Sequence, residues 1–129
     1  LPLDALAQEK KAGFQQQLDE AEEFQTTAFS KFILFFWSPE SPYLVAKTDE
    51  GRPLSLEYVE NWKRYAERFI EDYASFKKTQ LRSIPLLQVE SFIRHLRDSG
   101  ENGNTVSYAL RSLQAPLSWA AQRGLLDRP

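Results

Sequence analysis

The sequence predicts an all-α protein, and three observations carry that prediction. Apolar residues recur at three- and four-residue spacing along most of the chain, capping residues and glycines stand at the ends of those segments, and no alternating strand pattern exceeds about five residues. The 42% hydrophobic and 13% aromatic content is enough for a packed core and excludes an intrinsically disordered chain. At 129 residues there is room for one domain with a helical arm. Zero cysteines exclude a disulfide scaffold, a thiol nucleophile and a thiolate metal site. The single histidine, His95, cannot alone build a metal site or a proton relay. The longest apolar run, Phe32 to Trp37, is far shorter than the roughly 20 residues of a spanning helix. The chain opens on Leu1 with no signal-peptide pattern, so the expectation is a piece of a cytoplasmic protein.

The elements follow in order. From Leu3 to about Phe24 the residues Leu3, Leu6, Ala7, Phe14, Leu18, Ala21 and Phe24 share one helical side. Lys10 and Gln17 interrupt that stripe, and Gly13 weakens the helix by roughly 1 kcal/mol relative to alanine. Thr26 or Thr27 is expected to cap a second, short helix, in which Phe29, Phe32, Ile33, Phe36 and Trp37 repeat at core spacing. Ser38-Pro39 and Ser41-Pro42 stop it, because proline lacks an N–H and disfavours a helical residue before it. Tyr43 to Lys47 reads as a short extended piece, and Asp49 to Pro53 as a turn. Ser55 caps a helix of about twenty residues with Val59, Trp62, Ala66, Phe69, Ile70 and Tyr73 inward. Lys77 to Ser83 reads as a polar connector. Pro85 to Ser99 forms the next helix, burying Val89, Phe92, Ile93 and Leu96 and ending at Gly100. Asn102-Gly103-Asn104 opens the last helix, with Val106, Leu110, Leu113, Leu117 and Ala120 inward and Gly124 closing it. Pro116 is expected to kink that helix and turn Trp119 into the core.

Charge divides the chain. Residues 1–51 carry a net −5 and residues 52–129 a net +3, so the acidic total hides a mildly basic C-terminal two-thirds. That asymmetry permits a polyanionic partner without demanding one.

The ordered set Tyr58 to Phe76, Ile84/Val89/Phe92/Ile93/Leu96, Thr105-Val106 and Ala115-Pro116-Leu117 through Gly124-Leu125-Leu126 resembles the core-binding domain of phage-type integrases and other tyrosine recombinases. Upstream, Phe36-Trp37-Ser38-Pro39, Ser41-Pro42-Tyr43-Leu44 and Gly51 are similar to the first segment of one integrase subgroup. The likeness covers roughly residues 29–129. It departs from the pattern at Pro85, where a capping threonine is usual, and at Asn102, where serine is usual. The resemblance implies a SAM-like bundle of about four helices over 29–125, an N-terminal helical arm or linker over 1–28, and the start of a linker over 126–129. It also implies one half of a C-shaped clamp on double-stranded DNA, acting beside other recombinase protomers in site-specific recombination and integration. Strand cleavage belongs to a separate catalytic domain with its tyrosine, arginine and histidine. On that reading these residues are not catalytic, and no cofactor, metal, small-molecule substrate or membrane is implied. Arg94-His95-Leu96-Arg97 does not have the family's His-x-x-Arg spacing, and His95 falls on the solvent side of its helix.

Three groups of residues are candidate DNA contacts, each with a competing structural reading. On the last helix Asn104, Thr105, Tyr108 and Arg111 stand at or opposite the start of the apolar stripe. They offer either free N–H groups and a groove-sized polar face or an ordinary solvated surface. On the Ser55-capped helix Asn61, Arg64 and Arg68 share an outer face, where Glu60–Arg64 and Arg68–Asp72 are equally plausible ion pairs. The connector residues Lys77, Lys78, Thr79 and Arg82 form the densest cationic patch, suited to phosphate contacts or simply to solubility. The alternative function is an all-helical protein–protein interaction module with no nucleic-acid partner.

Overall fold

A computed structural model describes residues 19–127. The first part of the predicted arm, Leu3 to Leu18, and the last two residues lie outside the described residues. All regular structure among the described residues is helical, as the sequence predicts: residues 19–26 (α1), Phe29–Phe36 (α2), Pro42–Asp49 (α3), Leu56–Tyr65 (α4), Ala74–Lys78 (α5), Leu86–Asp98 (α6) and Gly103–Gln122 (α7). A π-turn over Ala66–Ile70 extends α4, and a 3₁₀ turn over Leu81–Ser83 precedes α6.

The centre of the bundle is α2. Its predicted stripe, Phe29, Phe32, Ile33 and Phe36, is buried together with Trp37, and α2 packs against α3, α5, α7 and the π-turn. Phe29 meets Phe76 edge-on at 4.8 Å, and Phe76 in turn lies 5.0 Å from Phe92, which links α2 through α5 to α6. Residues 19–26 pack on the same bundle. Phe24 contacts Phe32, Phe35 and Trp119, and Gln25 Nε2 donates to the Leu125 carbonyl at 3.3 Å.

The predicted cap of α2 is corrected. Thr26 and Thr27 turn their hydroxyls back to the Glu22 and Glu23 carbonyls, closing α1 instead, and Ala28 precedes α2 with no side-chain cap. The chain here pairs with the supposed connector: the Phe29 N–H donates to Thr79 O and the Leu81 N–H to Thr27 O, both at 2.8 Å. That backbone pairing replaces the side-chain cap.

Two further expectations differ. Residues 43–47 are helical, because Ser41 accepts the Leu44 N–H and Pro42 sits in the first turn, where its missing N–H costs nothing. The connector is α5 followed by the 3₁₀ turn, with Phe76 and Leu81 wholly buried among cationic neighbours. The Ser55-capped helix is also shorter than expected. It leaves the α-helical ladder at the π-turn, where the Glu71 N–H bonds to Ala66 O, and Tyr73 opens α5.

Local signals elsewhere were sound. Gly100 and Gly124 take positive φ, and each closes its helix with a paired return bond: Glu101 N to Leu96 O, and Leu125 N to Ala120 O. The α7 stripe is rotated from the predicted one. Ala109, Ser112, Pro116 and Trp119 are buried, whereas Leu110 and Leu117 are half-buried. Small residues at 109 and 112 bring α7 close enough to α2 for the Trp37 indole N–H to reach the Ser112 carbonyl at 3.0 Å. Pro116, four residues on, has no N–H to claim that carbonyl.

Candidate nucleic-acid interface

Ser55 fixes where α4 begins by accepting the Tyr58 N–H at 3.1 Å, and Asn102 does the same for α7 through the Thr105 N–H at 2.9 Å. These two helices pack on each other, and their outer faces border a groove of about 440 Å³. Asn61, Arg64 and Arg68 supply its polar side from α4 and the π-turn. Tyr58, Trp62 and Tyr65 come from the same helix, and Tyr108 from α7. The fold therefore brings the sequence-predicted Asn61, Arg64, Arg68 and Tyr108 to one place. Arg111 joins them, its guanidinium 5.8 Å from the Tyr108 ring centre.

The electrostatics of the groove are one-sided. Among the described residues the ion pairs are Lys63–Glu67 at 4.0 Å and Lys77–Asp72 at 3.3 Å, so the alternative structural reading of Arg64 and Arg68, pairing with Glu60 and Asp72, is not seen. No carboxylate among the described residues lines the groove. The Arg68 guanidinium lies over the Phe69 ring, 4.8 Å from its centre.

The remaining candidates are placed differently. Asn104 is exposed at the start of α7, but the Thr105 N–H is already held by Asn102, so it is not a free donor. Thr79 is half-buried; its hydroxyl donates to Gln88 Oε1 and its carbonyl accepts from Phe29. Lys77 is paired with Asp72, while Lys78 and Arg82 are exposed. The Arg82 carbonyl accepts the Asp127 N–H at 2.7 Å, beyond the C-terminal end of α7. Tyr108 stands near the other end of that helix, about 20 Å away at 1.5 Å of rise per residue. Two cationic regions thus sit at opposite ends of α7 rather than in one patch.

The aromatic wall was not singled out from the sequence, although Tyr58, Trp62, Tyr65 and Phe69 recur at helical spacing. Trp62 touches Tyr58, Tyr65 and Tyr108 at 5.7–6.1 Å and stacks on Trp37 behind. Among the described residues its buried indole N–H has no acceptor, and neither has the buried indole N–H of Trp119. His95 is exposed beside Tyr73 at 5.4 Å, and no group of acidic or histidine side chains among the described residues could hold a metal. No helix among them is long and apolar enough to cross a membrane.

Tyr58 also acts on a neighbour. Burial, followed by the charges of Tyr58 and Glu50, raises the pKa of Tyr43 above the ordinary tyrosine value. A raised acid pKa means that the folded state holds its proton longer than the unfolded chain, so this stability is present below about pH 10 and is lost as pH rises through the folded value. Urea unfolding at increasing alkaline pH should show a steeper loss of stability for the parent protein than for Tyr43→Phe. Parallel profiles would remove Tyr43 as the cause.

Comparison of the chain with protein-family models, curated proteins and solved structures finds no match.

Proposed function

We propose that this chain is a DNA-binding domain of the core-binding type, which seats a tyrosine recombinase on its double-stranded recombination site and leaves strand cleavage to a separate catalytic domain. The observation that carries the reading is the convergence of Asn61, Arg64, Arg68, Tyr108 and Arg111 on one side of the α4–α7 pair, with no acidic residue among those described lining the groove. Guanidinium groups there hold phosphates and set register, and the Asn61 amide presents a donor and an acceptor to base edges. The exposed Lys78 and Arg82 at the far end of α7 supply a second, separate backbone contact. Other recombinase protomers on the same DNA complete the assembly in this reading.

Fluorescence anisotropy against duplex DNA across a salt series tests it. Affinity is expected to fall with salt, and the Arg64→Ala/Arg68→Ala/Arg111→Ala variant should flatten the log–log slope by about one to three. Lys78→Ala/Arg82→Ala should flatten it by about one or two. An unchanged slope in the first variant would move the interface away from the α4–α7 groove.

One observation favours a protein-interaction module instead. Leu86 and Leu87 stand side by side in the first turn of α6, 72% and 70% exposed. Absence of DNA binding at low salt would favour that reading.

A further inference from the structure

The α4–α7 groove has more aromatic surface than contact with a duplex can use. Tyr58 and Tyr108 are 46% and 41% exposed, and both border the groove. Each ring leans on Trp62 rather than closing over it, at interplanar angles of 79° and 59°. Within a duplex the flat faces of the bases are covered by their neighbours, and a groove-bound protein meets only base edges and phosphates. Exposed ring faces become useful when a base has left the stack, because every base then offers a π-face to an aromatic side chain. The volume of about 440 Å³ falls within the usual range of small-ligand pockets, about 300–1,000 Å³. Charge selects the same occupant. Arg64 and Arg68 line the groove and Arg111 stands beside Tyr108, none of them ion-paired among the described residues, so the space suits a planar group that carries a phosphate on either side.

We infer that the α4–α7 groove takes an unpaired base of DNA, stacked against Tyr58 and Tyr108, with the flanking phosphates on Arg64 and Arg68. This rests on the DNA-binding reading above and names the structural feature of DNA that the groove selects. No bond is made or broken.

The test compares a short perfect duplex with the same duplex carrying one extrahelical adenine, titrated by anisotropy at one low salt concentration. The ratio of the two affinities is the readout, so a general loss of phosphate contacts does not enter it. Stacking of one base predicts a ratio of about fivefold or more in favour of the extrahelical adenine. In Tyr58→Leu/Tyr108→Leu the ratio should fall close to one, whereas Tyr58→Phe/Tyr108→Phe should keep it. Both positions are solvent-exposed, and a helical circular-dichroism spectrum with an unchanged melting profile would establish that the leucine variant is folded. A ratio near one in the parent protein, with good duplex binding, overturns this inference and leaves the DNA-binding reading intact. Survival of the preference in the folded leucine variant also overturns it, because the base then sits elsewhere. No binding to either probe overturns both.

Discussion

Trp37→Ala is expected to lower the unfolding free energy by about 3–5 kcal/mol, the largest loss we anticipate from a single truncation. The indole is almost wholly buried, lies edge-on to Phe36 at 5.0 Å and stacks on Trp62 at 6.2 Å. It also holds the Ser112 carbonyl, which the proline at position 116 leaves without its usual helical donor. Urea unfolding of a second pair of variants separates packing from the hydrogen bond. Trp37→Phe keeps a ring but strands a buried carbonyl, at a cost of about 1–3 kcal/mol on top of the lost volume. In a Pro116→Ala background the new alanine N–H can bond to Ser112, so Trp37→Phe should cost less there. Equal costs in the two backgrounds would show that the carbonyl does not couple these positions.

The second large effect concerns Leu81. Read from sequence, it belongs to a polar connector, where substitution changes stability by no more than about 0.5 kcal/mol. In the fold it is wholly buried, and its N–H is bonded to Thr27 O. Leu81→Ala is therefore expected to cost about 2–5 kcal/mol, read as a shift in the urea midpoint with an unchanged m-value. A shift below about 0.5 kcal/mol would return this segment to the surface.

Leu81 shows where reading the sequence stops short. Signals contained within a few residues were legible: the Ser55 and Asn102 caps, the Gly100 and Gly124 terminations, and the α2 stripe of phenylalanines. A local signal with two meanings was not. Ser41-Pro42 both stops the helix before it and starts the one after it, and only the first meaning was taken. The segment around Phe76 and Leu81 has two apolar residues among lysines, threonine and arginine, too few to show a period, and its burial is decided by α2 and α6 from far along the chain. The α7 stripe was placed on its leucines, whereas close approach to α2 required the small residues Ala109 and Ser112. At the groove, the outer face of α4 and the outer face of α7 were each legible. That they adjoin, and that Tyr58, Trp62 and Tyr65 form the wall between them, is a property of helix packing that no spacing rule reports.

The π-turn over Ala66–Ile70 makes the length of this helix adjustable. A π-turn accommodates one residue more than an α-helical ladder needs, so removing a residue there restores regular hydrogen bonding instead of breaking it. A shortened chain would keep its bundle, because the bulge confines its extra residue and the helical turns outside it keep their faces; only the side chains within the turn would be re-aimed. Asn61 and Arg64 lie before the turn and Arg68 lies within it. The extra residue thus sets the angle between the two guanidinium groups. Chains differing by a single residue at this point would share the core and differ in how they space two neighbouring phosphates.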